Sequence, residues 1–177
     1  MSKFKVPTRG EVSENNQTVF DNLQKGLGFV PNIYAAMAHS ENALSSYLQF
    51  SSAPTSFSKK EKEIIDLAVS QLNGCRYCQS AHTALGKMNG FTDEQIIELR
   101  KGGASWDYKA NVLAQTAREV ADKKGKVSEE VLESFYGAGY SEANLVDLIV
   151  AIGIITITNL FHNVTDVDID FPIAVEI

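Results

Sequence analysis

Residues 58–92 read SKKEKEIIDLAVSQLNGCRYCQSAHTALGKMNGFT, and the fold class is decided by this stretch. Ser58 followed three residues on by Glu61 has the pattern of a capping box, in which hydroxyl and carboxylate take up free backbone N–H groups at a helix start. Beyond it Ile64, Leu67, Ala68, Gln71, Leu72 and Cys75 recur at intervals of three and four, the stripe of an amphipathic helix. Asn73-Gly74 interrupts that helix. A second is expected from about Cys75 to Asn89, ended by Gly90, and Thr92 with Gln95 forms another capping box.

The same punctuation extends in both directions. Residues 1 to 12 read as an extended arm. Ser13 is placed to cap a helix running to about Lys25, stopped by Gly26 and Gly28, and Pro31 opens a short helix over Asn32 to Ala38. Ser40 caps another that ends before Pro54. Further helices are expected over Asp107 to Lys124, Ser128 to Tyr136 and Glu142 to about His162, with an extended tail after Val164. Ile149 to Ile157 is β-branched enough for a strand, but its length and flanks fit a helix better. The expectation is therefore an all-α fold in one domain, residues 1–177, with its core motif within 58–92. Gly90-Phe91-Thr92-Asp93 also matches Gly139-Tyr140-Ser141-Glu142 at an offset of 49, which raises an internal duplication of a helical unit. The plainer reading is that glycine stops followed by Ser/Thr caps recur in any helical protein.

Composition narrows the class. With 44% hydrophobic residues the chain can build a real core, and a formal charge of -6 repels nucleic acid and anionic membrane. Met1 to Glu11 holds no apolar stretch of a secretory signal, and the run Leu148 to Ile155 is too short to span a bilayer. A soluble cytoplasmic protein without nucleic-acid or membrane partners is expected.

The chain has 2 cysteines, Cys75 and Cys78, too close together to staple a fold. With His82 they fall on one helical face, at i, i+3 and i+7. At a helix start, unpaired N–H groups and the helix dipole favour thiolate over thiol, and thiolate is the species that attacks peroxides and disulfides. His82 can hold a proton near neutral pH. A zinc site would need a fourth ligand, for instance a glutamate. A c-type haem would need histidine directly after the second cysteine, where Gln79 stands. Two buried, inert cysteines are the bland alternative, and their pairing with an aligned histidine argues against it.

Glu63, eleven residues, Cys75-x-x-Cys78, three residues and His82 match, position for position, the core of the AhpD-like alkylhydroperoxidases within the carboxymuconolactone decarboxylase superfamily. Leu67-Ala68-Val69, Gly90-Phe91 and Val30-Pro31-Asn32 resemble that family too, the last its peroxidase-related branch. The resemblance implies an AhpD-like helical fold, often a homotrimer or hexamer, that reduces a hydroperoxide with the cysteine pair. The leading reading is such an enzyme, reduced by an external thiol/disulfide reductant, with no cofactor and no metal expected. Within the resemblance Cys78 attacks, Cys75 resolves, and Glu63 and His82 relay protons. Helix-terminus physics alone favours Cys75 as the more acidic thiol. One departure is Tyr77, which stands where the best-known members carry a second histidine, and a phenol is a poor base at neutral pH. Two other classes of function stay open on the residues alone: a redox-responsive oligomer without turnover, and a small zinc-binding module.

His39 reads as a surface or capping residue. His162, at the end of the last helix, has a charge that suits the helix dipole and could reach the site from there. Phe29, Tyr34, Phe50, Trp106 and Tyr108 read as core.

Overall fold

A computed structural model describes residues 4–177, all helix, turn and loop, with no strand among them. The first residues of the expected arm lie outside the described residues; the remainder is extended apart from a single 3-10 turn at Arg9–Glu11. The capping signals act where they were read. Ser13 opens α1 (Glu14–Leu27), and Gly28 closes it in the left-handed region at φ 85°. Then come α2 (Asn32–Met37) and α3 (Ala43–Ser51). Asn42, not Ser40, is the N-cap residue of α3, although the Ser40 hydroxyl still accepts the Ala43 N–H at 3.3 Å. The capping boxes at Ser58 and Thr92 open α4 (Lys59–Leu72) and α6 (Asp93–Arg100), and between these lies α5 (Arg76–Met88). α7 (Tyr108–Asp122), α8 (Glu129–Gly137) and α9 (Glu142–Thr165) complete the set.

The central helix is α4. It packs against α5, α6, α7 and α9, so its expected stripe broadens into burial on several sides. Ile65, Leu67, Ala68 and Val69 are fully buried, with Leu99, Leu113 and Leu148 meeting them from α6, α7 and α9. Each leucine, isoleucine or valine among them contributes about 1.5–3 kcal/mol through removal from water. A smaller cluster of Val12, Phe20, Ala35, Met37, Ala38 and Leu44 holds α1, α2 and α3 together. Tyr108 and Phe50, expected in the core, are instead exposed.

By length and composition alone α9 could cross a membrane. Here its inner face, Leu148, Ala151, Ile152, Ile155, Thr158, Asn159 and His162, is buried at intervals of three and four, much of it against α4. Its outer face keeps Val146, Ile149, Ile157, Leu160 and Val164 exposed.

The chain after α9 has no regular structure but is tied down. Asp170 accepts the Tyr77 hydroxyl at 2.5 Å and the Asn32 N–H at 2.7 Å. Ser80 Oγ accepts the Ala174 N–H at 3.1 Å, and Arg100 donates to the Val175 carbonyl at 2.8 Å. The Arg100 guanidinium is buried and also bonded to Gln71 and Gln79. The tail therefore straps the first turns of α5 to α2 and α6, fixing the helix that carries both cysteines.

Candidate active site

The turn between α4 and α5 creates the site. Gly74 takes φ 67°, which a residue with a Cβ adopts only with strain, and the Cys75 N–H then returns to the Ser70 carbonyl at 3.1 Å. This leaves Cys75 as the N-cap of α5, its sulfur accepting the Cys78 N–H at 3.2 Å. From α9, Asn159 donates to Ser70 Oγ at 3.2 Å and accepts from Asn73 at 2.9 Å, pinning the turn.

Both cysteines are free thiols and both are buried, Cys75 at 0% exposure and Cys78 at 3%. They titrate as a pair. Cys75 is pulled well down: the Cys78 thiol donates to it, which outweighs burial, and His162 and the Cys78 N–H add to the effect. Cys78 is pushed up by burial and by the neighbouring Cys75 sulfur, with Asn159 and Thr158 opposing. Of the two sulfurs, Cys75 is therefore the one whose surroundings favour negative charge. Helix-terminus physics anticipated this site for the charge, whereas the family resemblance gives the attacking role to Cys78.

Glu63 and His82 meet across α4 and α5. His82 Nδ1 lies 2.9 Å from Glu63 Oε2, and both are largely buried. A second carboxylate, Asp66, stands 3.6 Å from the same nitrogen. Burial pushes Asp66 up to about 6, with His82 opposing and Glu63 adding. His82 is lifted to about 9: burial opposes the charge, but Asp66, Glu63 and Cys75 together prevail. His82 is thus an imidazolium across the neutral range, held by two carboxylates. Asp66 escaped the sequence reading, although it lies three residues after Glu63 on one face of α4, and that spacing was the available signal.

One donor atom each from Glu63, Asp66 and His82 lies within 4.8 Å of the others, a spacing that suits a cation, but the Glu63–His82 hydrogen bond ties two of them together. Among the described residues no such three-donor cluster includes either cysteine, so Cys75, Cys78 and His82 do not gather as zinc ligands would.

Tyr77 points away from this chemistry. Its hydroxyl donates to Asp170 and accepts the Ile33 N–H at 3.4 Å, so it anchors the tail. His162 does reach the site, from the last turn of α9, and bears on Cys75. His39 is exposed and bonded to the Lys5 carbonyl at 2.8 Å. Tyr34 and Tyr47, half-buried with ring centroids 5.9 Å apart, stand near Cys78 and Asp66, and burial raises both phenols.

Comparison with known proteins bears on the family and the fold. The family model described as carboxymuconolactone decarboxylase matches residues 33–123, just over half of the chain. Alkyl hydroperoxide reductase AhpD from Hyphomonas neptunium is 41% identical over 64 residues, a stretch covering 36% of this chain and 36% of that protein. A peroxidase-related protein with an AhpD core from Ralstonia eutropha superposes with a TM-score of 0.86 at 19% identity, over 96% of this chain and 92% of the other. The debrominase Bmp8, solved with 2,3,4-tribromopyrrole, superposes with a TM-score of 0.78 at 15% identity over the same shares, 96% and 92%. At these identities the superpositions speak to the fold alone, which is the AhpD-like helical fold. The matched family region contains Glu63, Asp66, Cys75, Cys78 and His82 together, and the chain belongs to the carboxymuconolactone decarboxylase family.

Proposed function

We propose that the protein is a thiol-dependent peroxidase and disulfide reductase working through Cys75 and Cys78. The observation that carries the reading is the pair of free thiols at the start of α5, the Cys75 sulfur accepting the Cys78 N–H at 3.2 Å, with His82 fixed by Glu63 one turn beyond Cys78. Cys78 attacks the terminal oxygen of a hydroperoxide, the O–O bond breaks, and Cys78 becomes a sulfenic acid. The leaving alkoxide takes a proton from His82, which recovers one from the Cys78 thiol, so an alcohol departs. The Cys75 thiolate then attacks the Cys78 sulfur; its S–O bond breaks, and hydroxide leaves as water after taking a proton. A dithiol donor reduces the resulting disulfide and is itself oxidised to a disulfide. Attack is given to Cys78 because that sulfur keeps the small exposure of the pair and lies nearest His82 along α5.

Thiol titration tests the reading. Two free thiols should be found in the reduced protein, none after one equivalent of hydrogen peroxide, and two again after a dithiol. Two thiols persisting through oxidant would end the redox reading and leave a structural role for the pair.

Glu63→Gln and His82→Gln should each slow thiol oxidation by roughly one to three orders of magnitude, the scale of general acid–base help, with folding retained. Because His82 is raised to about 9, the wild-type rate should fall as pH climbs through about 9 and the imidazolium is lost. His82→Gln should lack that limb. Stopped-flow oxidation across pH measures both, and unchanged rates in both variants would make the carboxylate and imidazole bystanders.

We also propose that the chain works as a homo-oligomer, a trimer or hexamer, assembled through the outer face of α9. A continuous apolar stripe of Val146, Ile149, Ile157, Leu160 and Val164 left in water supports it.

A further inference from the structure

The last turn of α9 carries a buried imidazole that the scheme above does not use. His162 is 5% exposed and lies against the Tyr77 ring, centroids 5.4 Å apart at 44°. Its Nε2 stands 3.2 Å from the Val167 carbonyl, which can only accept, so Nε2 carries a proton. That contact is built in: Asp166 adopts the left-handed conformation, caps α9 by donating its N–H to the His162 carbonyl at 2.8 Å, and turns the chain so that Val167 reaches the ring. Nδ1 is buried and makes no hydrogen bond. A buried imidazole nitrogen is costly to leave alone, and the group it bears on is the fully buried Cys75 sulfur.

The geometry points to His162 as the proton partner of Cys75: with Nε2 fixed on Val167, Nδ1 holds the proton that leaves the Cys75 sulfur and releases it when the disulfide closes. The inference rests on the thiol-redox reading of the pair. In the resolving step the Cys75 thiolate forms the S–S bond, the S–O bond of Cys78 breaks, and the departing hydroxide takes the Nδ1 proton to leave as water. The step consumes one proton and one thiolate together. The charged or titratable groups facing His162 are Cys75 and Tyr77 on α5 and Asp166 at the end of its own helix. Burial works against a charged ring, and Cys75, the Val167 carbonyl and Asp166 raise it. Tyr77 cannot take the part, because its hydroxyl is committed to Asp170 and Ile33.

Thiolate absorbance near 240 nm, followed against pH in the reduced full-length protein, tests the inference without any peroxide. In His162→Gln the Cys75 titration should move upward by about one unit or more, a tenfold or larger loss of thiolate at pH values between the old and new midpoints. An unchanged titration in folded His162→Gln overturns it. Should that variant not fold, the reciprocal measurement decides: by NMR, the His162 ring should titrate at least tenfold more readily to neutral in Cys75→Ser than in wild type, and an unmoved ring overturns the inference. A protein inert to hydroperoxide that still shows these shifts would sink the peroxidase reading and keep the His162–Cys75 pair.

Discussion

Cys78→Ser is expected to abolish hydroperoxide consumption, while Cys75→Ser should consume one equivalent and stop. Serine keeps the shape of the site in both. At position 75 a hydroxyl is a better N-cap than a thiol, so α5 should still start where it does. What changes is chemistry. Without the Cys78 sulfur the remaining thiolate is fully buried at the helix start, two turns rather than one from His82 along α5. Without Cys75 the first attack still yields a sulfenic acid at Cys78, but no thiol follows to close the disulfide, and the sulfenic acid accumulates. Peroxide consumption in the presence of a dithiol, with mass spectrometry after a sulfenic-acid trap, reads both variants. A trapped adduct on Cys75 in Cys78→Ser would reverse the two roles and give the attack to the sulfur whose surroundings favour negative charge.

Short-range interactions in this chain are legible in its sequence, and long-range ones are not. Helix starts were legible because a cap is local: Ser58 with Glu61 and Thr92 with Gln95 satisfy their own N–H groups within four residues. Cys75, Cys78 and His82 were legible for a similar reason, since their spacing puts them on one helical face, whereas Glu63 was named through the family resemblance and meets His82 from α4. The glycine stop and capping box do recur at Gly90–Thr92 and at Gly139–Ser141, with φ 90° and 88°. Contacts across the chain were not legible. Nothing near Tyr77 announces Asp170, and nothing near Arg100 announces the Val175 carbonyl. The place of His162 depends on how α9 crosses the start of α5, which periodicity does not specify. Asp147, a polar break in the apolar run, is likewise explained only by a distant loop, where it accepts the Ser56 N–H at 2.6 Å.

Two aspartate substitutions in α9 should part company: Ile157→Asp should dissociate the assembly and leave the chain folded, whereas Ile155→Asp should unfold it. From the sequence, Leu145 to Ile157 looks apolar on nearly every side, and either residue could face a partner. The structure separates them. Ile155 is 3% exposed and belongs to the main core, so an aspartate there would have to bury a carboxylate among aliphatic groups, at about 4 kcal/mol or more, a large share of a domain's stability. Ile157 is 44% exposed, and a charge there costs the isolated chain about 0.5 kcal/mol or less. It lies, however, in the middle of the outer stripe from Val146 to Val164, which runs about 27 Å along the helix. Gly153 lies in that stripe, and beyond its own helix backbone and chain neighbours nothing lies within 4 Å of where a side chain would begin, so a second helix can approach closely there. Beside it a groove of about 530 Å³ between α7, α8 and α9, lined by Val120, Leu132, Leu145 and Ile152, offers apolar walls to the same neighbour. Placing a carboxylate at the centre of such a contact would leave it desolvated and unpaired. Light scattering should give wild type a multiple of the 19.4 kDa chain mass, and Ile157→Asp a single one with an unchanged circular dichroism spectrum. A wild-type mass near 19.4 kDa at micromolar concentration would remove the assembly and leave the stripe without a covering partner.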